Sequence, residues 1–446
     1  MEPLGELGGK MSDISQVSVL YNKLKDVEAK MGLAIRYAET GSEGLQGRRY
    51  QIQEMADLVG ISRARVNQLY DEKNHHPTLT PLDRFEGGRR YGTALHLAEL
   101  HTLFETGLRS PGEEGAAIAF QTPKGGGYKT SSTLNASYYC AEQGYRVCAI
   151  DLDPQGSLSA QLGMQPDLRV RAEDTLYGWL IEEEGYDLTW ESMVFDETKD
   201  IEEFGTQGCI YPTRHPLIDV IPATLALDQA TLDMTVDLIR SQEDGRKLIR
   251  TLFRLNTIVR FLKTRYDIII IDGTPSFSIS GLNIFFGVDT IVCPVATEIT
   301  DIGATRSFLR MIMELLEQIG DAVETLEKPL PEILFMPTKF NASTPSAKER
   351  SKKNLMTIQM AAGQFVLENV SEQNRAVADC LDKYRSIFEI NTGDLGIDSR
   401  TLKDARSTYA GLYQEVLEKA IFPRWAKGQE FLQGKQKKKR TKKAEA

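Results

Sequence analysis

The spacing of apolar positions changes along the chain, and each change marks a different kind of element. Between Ser12 and about Thr40, Ile14, Val17, Tyr21, Leu24, Val27, Met31 and Ile35 recur every three or four residues, the period of a helix with one apolar stripe. A solitary stripe has to be covered by the next domain or by a second copy, so residues 1–45 are expected to be a dimerisation helix. Gly41, Gly44 and Gly47 break it. Beyond RSPGEEG at 109–115, which reads as a linker, short β-branched runs alternate with helical stretches: AAIAFQT, VCAIDLD, LIDVIPA, DIIIID, TIVCPV and EILFMPT. Continuous apolar runs of this length are buried parallel strands, and the intervals between them suit crossover helices. The acidic stretch Glu182–Glu203 is expected to be a solvated excursion from that sheet.

Residues 50–72 read as two short helices around a tight turn. Ala56 is small where they cross, Gly60 permits the turn, Ile61 and Val66 face inward, and Ser62 can cap the second helix. The Ala-x3-Gly-x5-Val spacing is that of a DNA-binding helix-turn-helix, whose second helix would offer Arg63, Arg65, Asn67 and Gln68 to a major groove. GGRRYGTALHLAELHTLF at 87–104 resembles the wing and following helix of MerR-like winged domains. A winged domain over 46–110 is therefore expected, against the competing reading of a small helical bundle with a solvated face.

Composition narrows the partners. The chain has 446 residues and a formal charge of −10, yet residues 435–446 hold seven Lys/Arg against one Glu, leaving −16 on the rest. That excludes wholesale wrapping of DNA and points to local polyanion contacts, one of them in the basic tail at 426–446. Five cysteines without a Cys-x-x-Cys argue against a disulfide framework or a structural zinc site and fit a reducing compartment. The first thirteen residues lack a basic-then-apolar leader and no apolar run approaches membrane-spanning length, so a cytoplasmic protein without membrane attachment is expected.

The strand AAIAFQT runs into PKGGGYKTSSTLNASYYCAE, a glycine-rich loop followed by a helix. A triphosphate requires backbone N–H groups in a concave ring, a helix N-terminus, an ammonium and a hydroxyl for magnesium. Gly125, Gly126 and Gly127 let the main chain come close, Lys129 would bridge the β- and γ-phosphates, Thr130 would hold the ion, and Tyr128 and Ser131 complete the cradle. The usual loop has Gly directly before its lysine, where this chain has Tyr128. Lys124, five residues ahead of Lys129, instead gives K-G-G-x-x-K-[ST], the deviant Walker A pattern. Its natural use is to reach a partner subunit's nucleotide. Acids stand at strand ends: Asp151 and Asp153 in CAIDLDPQGSLS, and Asp272 in YDIIIIDGTPS. Carboxylates so placed can hold Mg2+ and position an attacking water.

At KGGGYKTS (124–131), VCAIDLDPQGSLSAQLG (147–163) and DIIIIDGTPS (267–276) the sequence resembles the ParA family of partition ATPases. The tyrosine before the loop lysine and the leading helix-turn-helix resemble the large plasmid branch of SopA and RepA type, with DTLYGWL at 174–180 leaning to the RepA side. The resemblance covers roughly residues 45–425 and implies an α/β fold, a mostly parallel P-loop sheet over 115–425 behind the winged domain. It also implies that Lys124 acts across an ATP-sandwich homodimer, Lys129 binds phosphate, Thr130 and Asp272 hold Mg2+, and Asp153, with Asp151 beside it, orients the hydrolytic water. Family members usually carry Asp-Cys/Ala-Pro-Pro after that strand, where this chain has Asp272-Gly273-Thr274-Pro275. The implied activity is slow hydrolysis of ATP to ADP and phosphate by a nucleoid-associated dimer that binds DNA without sequence preference. A ParB-like centromere-binding partner would stimulate it, and repression of its own operon through operator DNA would accompany transport. Lys339, Lys348, Arg350, Lys352 and Lys353, with the KQKKKRTKK tail, are candidates for the DNA surface. The alternative is a repressor that uses nucleotide only as an allosteric ligand. An iron-protein reductase would need paired cysteines, and a MinD-like protein an amphipathic terminal helix. The chain offers neither.

Overall fold

The structure is a computed structural model that describes residues 47–444 except 72–74, 86–87, 123–127, 167–169, 182–187, 200–205, 241–244, 275–277 and 319–328. The expected dimerisation helix at 1–45 and both ends of the acidic 182–203 stretch, 182–187 and 200–203, therefore lie outside the described residues, as do Lys124, Gly125, Gly126 and Gly127.

Residues 47–104 build a small module. Helix α1 (Ile52–Val59) stops at Gly60, whose φ of 76° is left-handed and whose N–H caps the Ala56 carbonyl. Helix α2 (Arg63–Leu69) starts where the Ser62 hydroxyl accepts the Arg65 N–H at 3.1 Å. Strands β1 (Asp83–Arg84) and β2 (Arg90–Tyr91) form a two-stranded antiparallel ribbon, and Tyr50 pairs with Gly92 beside it. Helix α3 (Ala94–Phe104) closes the module over Tyr50, Met55, Ala56, Val66, Leu97 and Leu100, all buried.

A seven-stranded sheet follows, in the order β5-β6-β4-β7-β3-β8-β9. The strands are β3 (Ala116–Phe120), β4 (Val147–Asp151), β5 (Tyr211–Pro212), β6 (Ile218–Ile221), β7 (Ile268–Asp272), β8 (Thr290–Ala296) and β9 (Glu332–Thr338). All pair in parallel except β5, which lies antiparallel on β6 at one edge. The six apolar runs are six of these strands. In β3 and β7 successive residues feed opposite faces. Ile118, Phe120, Ile268 and Ile270 pack with Leu134, Leu412 and Trp425, while Ala119, Ile269 and Ile271 pack with Leu255, Val259 and Ile284. Both faces are thus covered, which is why the strands read as continuous apolar runs rather than alternating ones.

The helices that cover the sheet are α4 (Lys129–Glu142), the short α5 (Ser157–Gln161), α6 (Tyr177–Ile181) and α7 (Trp190–Met193), then α8 (Ala226–Arg240), α9 (Gly245–Leu262), α10 (Ile279–Gly287), α11 (Ile299–Gln318), α12 (Pro345–Ala362), α13 (Arg375–Leu381), α14 (Ser399–Val416) and α15 (Ala426–Ala444). The stretch read as a basic tail is thus helical through Ala444. All five cysteines are buried, and burial raises each thiol above its ordinary range.

Helix α4 is buried although half its residues are polar. Thr133 Oγ1 donates to the Lys129 carbonyl at 3.1 Å, Asn135 Nδ2 to Ser131 O at 2.8 Å and Ser137 Oγ to Thr133 O at 2.7 Å. These three side chains are satisfied one turn back on their own helix. Outside it, Thr133 Oγ1 also lies 3.4 Å from Asp272 Oδ1 on β7, and Asn135 Oδ1 accepts Ser386 Oγ at 2.8 Å and the Ile387 N–H at 3.1 Å.

Candidate nucleotide site and basic surfaces

The parallel strands end together. Asp272 lies in register with both Asp151 on β4 and Phe120 on β3, so two carboxylates stand side by side at the carboxyl edge. Such edges are where open parallel sheets bind ligands.

Three buried polar atoms at this edge have no partner among the described residues. Asp272 is fully buried, and its Oδ2 accepts no hydrogen bond among the described residues; the same holds for Gln121 Oε1 just past β3 and Thr338 Oγ1 at the end of β9. Folded chains satisfy nearly all such groups. Burial first and the neighbouring Asp151 second push the Asp272 carboxyl well above its ordinary range, while Thr130 and Lys129 pull the other way. Lys129 is itself buried, and desolvation lowers its ammonium against the opposing fields of Asp272 and Asp153. A bare carboxylate oxygen beside a threonine hydroxyl and a lysine fits a divalent cation with phosphate.

The two aspartates of DLD divide their work. Asp151 is saturated: Oδ1 accepts the Asp153 N–H at 3.1 Å, and Oδ2 accepts the N–H of Ser159 at 2.8 Å and its hydroxyl at 2.7 Å. Ser159 Oγ in turn accepts the Ala223 N–H at 2.9 Å. Burial raises Asp151 despite these donors. Asp153 is half-buried, and its Oδ1 accepts the Gln155 N–H at 3.0 Å ahead of the left-handed Gly156. Asp151 therefore shapes the turn that carries Asp153. Ser159 is the site residue that sequence reasoning missed; the second serine of GSLS was its only signal.

Tyr128 occupies a left-handed conformation, φ 66° and ψ 17°, at the residue before α4. The glycine usual at this position would adopt it freely; a tyrosine does so at a cost of about 1–3 kcal/mol. Ser131 Oγ donates to the Tyr128 carbonyl at 3.2 Å. After β7, a Cβ on Gly273 would lie 3.0 Å from the Phe120 carbonyl, so a side chain there would push β3 and β7 apart by a few tenths of an ångström.

The basic candidates lie on other elements. Arg63, Arg65 and Gln68 are exposed on α2, with Arg65 Nη1 donating to Gln68 Oε1 at 2.7 Å. Asn67 is half-buried and its Oδ1 accepts from Arg90 Nη2 of β2 at 3.0 Å, so it braces helix against ribbon. Lys348, Arg350, Lys352 and Lys353 are exposed on α12, and Lys339 sits half-buried at the end of β9 with φ 54°. The structure brings Lys129, Thr130, Asp151, Asp153 and Asp272 to the carboxyl edge, where Lys339 follows β9, while Arg63, Arg65, Asn67 and Gln68 lie on α2 of the 47–104 module. No helix among the described residues is long and apolar enough to cross a membrane.

Sheet order, loop and acids define a P-loop nucleotide-binding protein. Comparison with known proteins narrows the class. An AAA domain model matches residues 115–325. SopA of Escherichia coli K12 is 27% identical over 385 residues, 85% of this chain and 90% of its own length. A putative replication protein A of Sinorhizobium fredii is 26% identical over 375 residues, 81% of this chain and 82% of its own. A solved structure described as a partition protein superposes with a TM-score of 0.59 over 92% of this chain and 97% of its own; at 16% identity it speaks for the fold alone. The chain is a relative of the ParA-type partition ATPases, similar to SopA and the replication A proteins.

Proposed function

We propose that the chain hydrolyses ATP with Mg2+ as a partition ATPase and that residues 46–110 are a winged helix-turn-helix domain. The observation that carries the first part is Asp272 Oδ2, without a hydrogen-bond partner among the described residues and buried beside Lys129 and Thr130 at the carboxyl edge. Lys129 would neutralise the β- and γ-phosphates, Thr130 and Asp272 would hold the ion, and Asp153 would orient the attacking water from the turn that Asp151 fixes. Bound magnesium would draw off the charge that develops on the phosphate oxygens. Lys124 would reach the nucleotide of a second copy, with Gly125, Gly126 and Gly127 forming the cradle.

The ATP-bound homodimer would coat nucleoid DNA through Lys348, Arg350, Lys352 and Lys353 and through α15, and a ParB-like partner would stimulate hydrolysis and release. Arg63, Arg65 and Gln68 would read operator DNA. The exposed arginines of α2 support this, as does its serine N-cap, which starts the helix at the surface. ATP turnover with and without DNA tests the reading. Lys129→Ala is expected to abolish nucleotide use and Lys124→Ala the dimer-dependent step. Turnover unchanged by Lys129→Ala would refute it. A repressor using nucleotide only as a ligand would instead retain operator binding and show no hydrolysis in any state.

A further inference from the structure

We propose that Glu142 is the residue through which nucleotide at the loop and DNA on the 47–104 module sense one another. The inference rests on the nucleotide and DNA reading above and adds the physical route between the two sites. Helix α4 starts at Lys129 and ends at Glu142, a stiff strut of about 21 Å at 1.5 Å per residue. Its first turn carries Lys129 and Thr130. Its last residue is buried and held from the module on both side chain and main chain.

Tyr50 donates its hydroxyl to Glu142 Oε1 at 2.7 Å, and Arg48 Nη1 donates to the same oxygen. Arg48 also pairs with Glu54 on α1. From α3, His101 Nε2 lies 3.0 Å from the Glu142 main-chain carbonyl, with Nδ1 facing the Thr106 hydroxyl. Burial drives His101 down to about 4, so the ring is neutral and Nε2–H donates. Two residues beyond, Gly144 has φ 86°, and a Cβ there would fall 2.5 Å from His101 Cγ, so the imidazole seats against the chain leaving α4. Tyr50 in turn exchanges both backbone hydrogen bonds with Gly92, at 2.8 and 2.9 Å, immediately after β2.

Helix α1, helix α3 and the β2 ribbon are therefore all tied to one residue, Glu142, at the far end of the phosphate-binding helix, through its carboxylate and its carbonyl. A close-packed interior passes a displacement of such a strut on rather than absorbing it. The bonds that Asn135 Nδ2 and Ser137 Oγ make within α4 would travel with the helix, while Asn135 Oδ1, which accepts Ser386 Oγ at 2.8 Å and the Ile387 N–H at 3.1 Å, ties the same strut to the segment before α14. Linkage makes the effect reciprocal: if nucleotide alters DNA affinity, DNA alters nucleotide affinity by the same factor.

The test uses the full chain, a fluorescent ATP analogue with Mg2+, and a labelled duplex of the DNA upstream of its own gene. The ratio of DNA affinities with and without nucleotide is expected to lie in the range of about 5- to 150-fold typical of coupled sites, and nucleotide is expected to alter amide exchange over residues 88–104. Tyr50→Phe, which removes one hydroxyl, and Glu142→Gln should bring the ratio towards one and erase the exchange change, while nucleotide affinity without DNA stays as in the parent. Variants that keep the parent ratio overturn the inference, and so does a parent that binds both ligands with a ratio of one. A parent that binds no nucleotide overturns the functional reading itself.

Discussion

The two ends of α4 treat buried charge in opposite ways. At the loop end Asp272 is buried with an oxygen unpartnered among the described residues, and Lys129 is buried in its field. At the far end Glu142 is as deeply buried but receives Tyr50 and Arg48 on its carboxylate and His101 on its carbonyl. The sheet and helix are common to both, so the contrast belongs to the sites. Buried charge left incomplete marks a place kept for a ligand, whereas buried charge completed by other segments marks a joint.

The largest expected effect comes from emptying the completed end. Glu142→Ala takes from the buried Arg48 guanidinium one of its two carboxylate partners, leaving Glu54, and strands the Tyr50 hydroxyl; it should cost about 3–5 kcal/mol in chemical denaturation, and a loss under 1 kcal/mol would show that water already reaches the joint. Next is the loop end, where Lys129→Ala should lower ATP turnover by about 10²–10³-fold, as loss of a preorganised charge-stabilising donor does, with little change in melting temperature.

Asp272→Asn sharpens the comparison because it should act with the opposite sign on stability. The folded carboxyl is held above its ordinary value of 3.8. As pH rises past that value the unfolded chain ionises before the native one does, so stability falls with pH until the folded group ionises too. Asparagine removes this loss, and the nucleotide-free variant should be more stable at neutral pH by about 1–3 kcal/mol. Thermal scans from pH 4 to 8 would show it as a flatter profile, and added Mg2+ with ATP should no longer raise the melting temperature. The smallest effect is at Ser159. Its replacement by Ala removes one hydroxyl donor from Asp151 and should cost about 1 kcal/mol while lowering turnover more than nucleotide affinity, since Asp153 loses its fixed turn.

The loop end was legible in the sequence because its parts are local. A β-branched strand, a glycine loop and Lys129-Thr130 adjoin in sequence, and Asp151 and Asp272 close apolar runs that could only be buried strands. The joint was not legible. Arg48 and Tyr50 meet Glu142 from 94 and 92 residues away, and a glutamate ending a helix reads as solvated until tertiary packing encloses it. Strand β5 escaped because two residues, one of them proline, carry no period; the edge tolerates them since Pro212 has no N–H to donate. Helix α15 read as a tail because it lacks an apolar period, yet its lysines, glutamines and alanines favour helix intrinsically. Its start is anchored where Ala426 N–H donates to Glu113 Oε1 at 2.7 Å. Tyr128 looked like a misfit to the loop pattern, but its backbone takes the conformation a glycine would have supplied.

The enclosed cysteines have a practical consequence. With every cysteine thiol sealed in the interior and thiolate formation suppressed, the unaltered chain should be silent towards maleimide dyes under native conditions. One thiol introduced at exposed Gln68 and another at exposed Lys353 would then be the sole points of attachment for a dye pair. Changes in energy transfer between them would follow the two basic surfaces through a nucleotide cycle without first stripping the native sulfurs.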